Sequence, residues 1–491
     1  MKNLKKLEIL HLNDFHSDFY PKDRDGKKTG GISYLSDYVR TEKSNDDNVL
    51  FFFSGDAIGD DINDSEYQGI TTFVMLDTIC IDAMCPGNHE VDYGVPQLAT
   101  VKQMVRFPIV CANINVYINK KKFLDPYILI EKGGLKIFVI GIITNSIANK
   151  VEFDKSTYQA FYVNDYNEDI DKMYDTQEYK EADIVVILSH IGYDEDIKLA
   201  QKLRNDKFTI IIGGHSHTLL EEPKYVNNIP IVQTGIGSSR IGKFNLYYDE
   251  KSKKIENIEY EIVVLNEDNC HENPKYDEYL NILKSETDTK YGNVVCTISR
   301  KILNGDRNKE NDFCDYFADV FNVICGTDLF LIDPGCTKAK SIGPVIKYGD
   351  LKEYFPRVNE LIKCTMTGKQ LKQLFSYTLE HYGVSNEEDI FLQHPSSEIT
   401  VIFDKDSKEL ISLLYKDIEV KDDDLLSVGL FDYSLMNSQK KFSLKTEDII
   451  KNNNIVSKHP NLLEALKNYL IDCSNDQSVY EVEINKRYIA K

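Results

Sequence analysis

Histidine, aspartate and asparagine collect behind short apolar runs in this chain. "LHLNDFH" ends in Asp14 and His16, "FFFSGD" in Asp56, and "AMCPGNHEVDYG" carries Asn88, His89 and Asp92. "VVILSH" ends in His190 and "FTIIIGGHSHT" carries His215 and His217, so five of the ten histidines lie at the ends of apolar runs. His215 and His217 are two apart, a spacing that turns both side chains to one side of extended backbone and differs from the four-residue spacing of a helical zinc motif. Gly213 and Gly214 are expected to let the backbone turn ahead of them. Neutral imidazoles, carboxylates and an amide are borderline ligands that suit Zn, Mn, Fe or Co, without distinguishing among them. Their number suits two divalent ions, one aspartate bridging and about three further protein groups on each. Such a pair can bind both sides of a displacement at phosphorus.

The elements that must position these residues follow from the apolar runs themselves. An apolar run bounded by glycine reads as a buried strand. "LEILHL", "VLFFF", "IDAMC", "FPIVCAN", "LKIFVIGIIT", "DIVVILSH" and "FTIIIGG" are expected strands, with helices at "ISYLSDYVRTEK" and "DEDIKLAQKLRND". Strands alternating with helices imply an α/β layer structure with largely parallel strands, whose ligands gather beyond the carboxyl ends. After about residue 248 a hairpin is expected, then a charged helix at "NPKYDEYLNILKSETDTKYG" suited to linking domains. A second α/β unit follows, ending in a helix at "HPNLLEALKNYLIDC" and a strand near "VYEVEINKRYI". The expected division is a catalytic domain over 1–265, a linker helix over 266–295 and a substrate-binding domain over 296–491.

A chain of 491 residues exceeds one ordinary core. The formal charge of −21 argues against a nucleic-acid polymer as partner; an anionic small substrate needs bound cations to reverse the local field. No window approaches a membrane span. The amino terminus, "MKNLKKLEILHLND", does not read as a signal peptide. Ten cysteines without C-x-x-C pairs, several in apolar contexts, read as buried thiols in a reducing compartment, so a cytoplasmic protein is expected.

The ordered set D-x-H, G-D, G-N-H-E, S-H and G-H-x-H resembles the calcineurin-like metallophosphoesterases. "LNDFH", "SGD", "GNHEVDYG", "GGHSHT" and "QTG" are more closely similar to the bacterial 5′-nucleotidase family, over about residues 7–245. The resemblance implies an α/β (α+β) fold, a four-layer β-sandwich flanked by helices and joined by a helix to a smaller α/β domain. It implies Asp14, His16 and His217 on one ion, Asn88, His190 and His215 on the other, and Asp56 between them. It also implies His89 beside the substrate phosphate with Asp92 orienting it, and attack by water or hydroxide held on the metals, with no covalent enzyme intermediate.

In the second half, "GDL", "FPRVN" and "MTGKQL" resemble landmarks of that family's substrate domain. The family's phosphate-contacting arginine loop corresponds to "DPGCTKAKS", where Thr337 stands in the arginine position and Lys338 and Lys340 could supply charge. Arg357 is a further candidate contact. Of the two rings that clamp the base, Phe391 resembles the first; Phe442, with Tyr433 as alternative, is the candidate for the second. The implied activity is hydrolysis of nucleoside 5′-monophosphates by a two-metal phosphoesterase. The alternatives are a 2′,3′-cyclic-nucleotide phosphodiesterase, a nucleotide-sugar pyrophosphatase, a non-nucleotide monoesterase, or a nucleotide-binding protein whose catalysis has decayed. A small nucleotide is the expected partner, and oligomeric state is left open.

Overall fold

The computed structural model describes residues 4–24, 26–59, 61–147, 161–338, 341–355, 360–384, 390–450, 461–474 and 479–491, and the backbone alone of 456–459. The chain divides into two compact units, Met1–Lys284 and Ser285–Lys491.

The amino-terminal unit is built on two sheets. In the first, β1 (Leu4–Leu12), β2 (Val49–Ser54) and β3 (Ala83–Cys85) run parallel, and β10 (Arg240–Asp249) and β11 (Ile255–Val264) extend it antiparallel beside β1. In the second, β5 (Leu135–Ile143), β6 (Ile184–His190), β7 (Phe208–Ile212) and β9 (Ile229–Val232) run parallel. The edges of this sheet are β4 (Tyr127–Lys132) and β8 (Lys224–Val226).

Because successive side chains of a strand point to opposite faces, each central strand feeds two cores. Ile9, Leu50, Phe52, Val139, Val186, Ile210 and Ile212 meet between the sheets. Leu10, Phe51 and Phe53 face outward from the first sheet onto Leu35 and Val39 of helix α1 (Ile32–Asn45). Phe138, Val185, Ile187 and Ile211 face outward from the second onto Leu199 and Ala200 of helix α2 (Tyr193–Lys202). The result is the four-layer α/β/β/α sandwich.

Two expectations need correction. "FPIVCAN" forms only isolated bridges, Met84 to Ile109 and Val110 to Asp125. Pro108 lacks an amide hydrogen, and the side chain of Asn113 ties the segment to Ile143 instead, donating to its carbonyl at 2.7 Å and accepting from its N–H at 3.0 Å. In the carboxyl-terminal stretch only Tyr488–Ala490 is strand.

The carboxyl-terminal unit has a five-stranded mixed sheet and a four-stranded one. In the first, β12 (Leu329–Ile332) pairs parallel with β14 (Leu425–Phe431), which pairs antiparallel with β13 (Leu361–Thr367). Helix α3 (Asp312–Cys325) places Phe313, Phe317 and Phe321 four residues apart on one buried stripe. Asn311 caps its start by accepting the Cys314 N–H, and Gly326, with φ of 61°, ends it in the left-handed conformation.

Phe52→Ala would remove a fully buried ring from between the two sheets of the amino-terminal unit. The expected loss is about 3–5 kcal/mol for that unit, read as a lower urea midpoint. An unchanged midpoint would contradict close packing between the sheets.

Candidate metal centre

Each residue singled out in the first half lies just beyond, or at the end of, a parallel strand. Asp14 and His16 follow β1, Asp56 follows β2, and Asn88 and His89 follow β3. His190 is the last residue of β6, and His215 and His217 follow β7.

The backbone there is unusual. Asp14 (φ 50°), His16 (48°), Asp56 (54°), His215 (78°) and His217 (54°) are all left-handed, a conformation that costs a non-glycine residue about 1 kcal/mol or more. Hydrogen bonds across the loops hold some of them in place. Asp14 N–H donates to Gly55 O at 2.9 Å, His16 N–H to Asp56 O at 3.1 Å, and His215 N–H to the Asp14 carboxylate at 3.0 Å.

Gly213 and Gly214, expected to make the turn, have no left-handed φ; the turning falls to the two histidines. These glycines serve close approach instead. A Cβ on Gly214 would lie 2.5 Å from Ser54 O and 2.8 Å from His190 Nδ1, and one on Gly213 would lie 2.3 Å from Asp196 Oδ2.

Two groups of donor atoms form. Asp14, His16, Asp56 and His217 each offer an atom within 4.8 Å of the others, as do Asp56, His190 and His215, so Asp56 belongs to both groups. His16 Nε2 and His217 Nε2 are 3.0 Å apart, and His217 Nε2 is 3.4 Å from Asp14 Oδ1. His190 Nε2 is 3.2 Å from Asp56 Oδ2. Asn88 Oδ1 lies 2.6 Å from His215 Nδ1, adding an amide oxygen to the second group. Just outside both groups, His89 Nε2 is 4.0 Å from Asp56 Oδ2, and His89 Nδ1 is 2.6 Å from Asp92 Oδ2.

These donors fit a divalent cation. Nδ1 of His190 donates to Ser54 O at 2.8 Å, which leaves Nε2 facing Asp56, fully buried and without a hydrogen-bond partner. A lone pair against a carboxylate is repulsive unless positive charge lies between them. Without a cation that charge would be a proton: burial opposes it at His190, but Asp56 and Asp14 outweigh burial and lift the imidazole to about 10, so a divalent cation bound there would take the proton's place. Burial pushes Asp14 up, yet hydrogen bonds from His16 and His217 hold it down at about 2. Burial pushes Asp56 up as well, yet His190, His89 and His16 together hold it well below the usual carboxylate range. Burial and the nearby His190 charge depress His215 to about 4, so its ring is neutral at physiological pH, as a metal-binding imidazole must be.

Three supporting residues escaped the sequence reading. Glu90, 3% exposed, accepts four backbone N–H groups: Asp56 at 2.9 Å, Ala57 at 2.8 Å, Ile58 at 3.3 Å, and Gly87. It thereby ties the loop after β2 to the loop after β3. Gln233 accepts from Thr218 N–H at 2.6 Å and donates to Gly214 O at 3.1 Å, bracing the histidine loop. Asn13 donates to Asp14 Oδ2 at 2.6 Å. Glu90 and Gln233 fall inside the "GNHE" and "QTG" motifs, but only the fold shows what their side chains grip.

In the carboxyl-terminal unit, Lys338 is exposed, its N–H donating to Tyr354 O at 3.2 Å. Lys340 and Arg357 lie outside the described residues. Phe391 is 8% exposed. Phe442, expected as a clamp ring, instead has no exposed surface and packs among Leu374, Leu435 and Ile449 as core. Its apolar neighbours exclude the solvent-facing position a clamp requires. Tyr433, the alternative, is partly buried.

Residues 7–219 match the family described as calcineurin-like phosphoesterase, and residues 292–446 match the 5′-nucleotidase C-terminal domain. The trifunctional nucleotide phosphoesterase YfkN of Bacillus subtilis is 27% identical over 433 residues, covering 78% of this chain and 28% of that protein. A snake venom 5′-nucleotidase of Naja atra is 28% identical over 279 residues, covering 51% of this chain and 52% of that protein. The matched part is thus less than two thirds of either relative's length. Among solved structures, a 5′-nucleotidase precursor from Thermus thermophilus aligns over 99% of both chains at 21% identity, with a TM-score of 0.74. One titled putative 5′-nucleotidase, from Staphylococcus aureus, aligns over 99% of this chain and 100% of that one at 15% identity, with a TM-score of 0.76.

Glu90→Gln would set an amide NH₂ among amide donors. Metal content measured by elemental analysis, or turnover, is expected to fall by about 10–100-fold. Retention of both would show that the four contacts do not position the centre.

Proposed function

The chain belongs to the calcineurin-like phosphoesterases that carry a 5′-nucleotidase C-terminal domain, and from that membership we propose that it is a metal-dependent phosphoester hydrolase releasing phosphate from nucleoside 5′-monophosphates. The observation that carries this reading is the pair of donor groups sharing Asp56. Asp14, His16 and His217 would hold one divalent cation, Asn88, His190 and His215 a second, and Asp56 both. Cations held there would supply Lewis-acid charge at phosphorus and a nucleophile at neutral pH.

The remaining chemistry belongs to the side chains. His89 stands edge-on to His16, with ring centroids 5.1 Å apart, while its Nδ1–H donates to Asp92. That bond selects the tautomer and holds the ring, the usual service of a carboxylate to a working imidazole. Nε2 would then face the phosphoryl group, stabilising its charge or passing a proton to the leaving oxygen. The carboxyl-terminal unit would grip the leaving group. Ten cysteines held outside any disulfide support a reducing, cytoplasmic setting.

A second reading, a cyclic-nucleotide diesterase or nucleotide-sugar pyrophosphatase, draws on Thr337, which is fully buried where the resemblance expects an arginine.

A matrix of divalent metals against nucleoside monophosphates, cyclic nucleotides and nucleotide sugars separates these readings by the product released. Nucleotide binding without turnover under every metal would overturn both. His89→Ala is expected to lower kcat by about 10²–10⁴-fold with metal content nearly unchanged. Loss of metal in that variant would make His89 a ligand instead.

A further inference from the structure

We propose that two further buried carboxyls, Asp64 and Asp196, position one donor group each: Asp64 the group of His16 and His217, Asp196 the group of His190 and His215. The inference rests on the two-cation reading of the centre and adds the residues that hold its two halves in place.

Each carboxyl belongs to the amino-terminal unit, has no exposed surface, and accepts a hydroxyl from a serine next to a donor histidine. Asp64 stands in the helix Ile62–Tyr67. Its Oδ2 accepts the hydroxyl of Ser17 and, at 2.9 Å, the N–H of Gly59; its Oδ1 accepts the Thr72 hydroxyl at 2.5 Å. Ser17 directly follows His16, and Gly59 lies in the loop that carries Asp56, so Asp64 joins the loop after β1 to the loop after β2. The backbone there needs such a hold, because Ser17, like His16, is left-handed, with φ of 55°. The two loops are in close contact: a Cβ on Gly59 would lie 2.7 Å from His16 O.

Asp196 stands in α2. Its Oδ1 accepts the Ser189 hydroxyl at 2.5 Å, and Ser189 directly precedes His190. Its Oδ2 has no hydrogen-bond partner among the described residues. That oxygen lies against Gly213, ahead of His215 in the same loop, where a Cβ would come within 2.3 Å of it. Asp196 thus joins the end of β6 to the loop after β7.

A buried carboxyl is costly where an apolar side chain could pack instead. Both positions bear that cost, and both direct the carboxyl at a serine whose neighbour is a donor histidine. A hydroxyl fixed from behind limits the swing of the adjoining imidazole, the service that groups behind metal ligands commonly perform. Since the two carboxyls act on different loops, loss of one should loosen one donor group and spare the other.

The test is calorimetric titration of the metal-stripped chain with Mn²⁺, with bound metal checked by elemental analysis. The wild-type chain is expected to bind two ions. Asp64→Ala is expected to weaken one of them by about 10–100-fold, and Asp196→Ala the other. Reference variants tell the ions apart: His217→Ala disables the first donor group and His190→Ala the second. In the His217→Ala background, Asp196→Ala should weaken the remaining ion by about 10–100-fold and Asp64→Ala should change it by less than about twofold. In the His190→Ala background the roles should reverse. Ser17→Ala and Ser189→Ala remove the hydroxyl and keep the carboxyl; they should repeat the pattern, and they decide the matter where an aspartate variant fails to fold. A single ion in the wild-type chain, both carboxyls acting on one ion, equal weakening of both ions, or unchanged affinities would overturn the inference. The expected split without phosphate release from any nucleoside monophosphate would support it while overturning the hydrolase reading. Phosphate release with both ions weakened equally would do the reverse.

Discussion

Three carboxylates, Asp14, Asp56 and Glu90, are buried within one cluster of loops at 0%, 1% and 3% exposure. Buried negative charge persists only where something positive, or a set of donors, answers it. Glu90 is answered from within the backbone, by the amides that follow Gly55, Asp56 and Ala57 and by that of Gly87. Asp14 and Asp56 are answered by imidazoles, and their negative charge raises His190 despite its burial. Left-handed backbone at Asp14, His16, Asp56, His215 and His217 is tolerable because these contacts outweigh it.

The two sheets make this crowding possible. Side chains that alternate between an inner core and two outer cores leave no freedom for a strand to slip by one residue, since a slip would move its whole apolar set to the other face. The ends of β1, β2, β3, β6 and β7 therefore sit at fixed positions, and the short loops beyond them inherit that precision. Gly214 shows how little room remains, with Ser54 O and His190 Nδ1 both inside contact distance of the Cβ it lacks.

The carboxyl-terminal unit follows a different logic. Its aromatic residues near the loop after β12 are spent on packing and on holding cations: Phe442 in the core, Phe391 beneath Lys441 and Arg307. Beside that ring, Lys441 pairs with the buried Asp333 at 3.1 Å.

The donor residues of the centre were legible in the chain itself because each sits directly behind an apolar run, and a strand followed by a chemically active residue is a local pattern. The α/β layering with largely parallel strands followed for the same reason, since apolar runs alternating with helical spacing are carried by neighbouring residues; the four-layer arrangement was implied only by the family resemblance. The failures were equally physical. "FPIVCAN" has a strand's composition, but Pro108 and the Asn113 amide draw its hydrogen bonds elsewhere. The glycines of "GGHSHT" were legible as necessary, but only contacts with Ser54, Asp196 and His190, all distant in the chain, show that closeness rather than turning is the reason. Glu90 could be read as a motif letter and not as an anchor, and Phe442 as a ring and not as core. In both cases the deciding neighbours come from elsewhere in the chain, and only the folded structure brings them together.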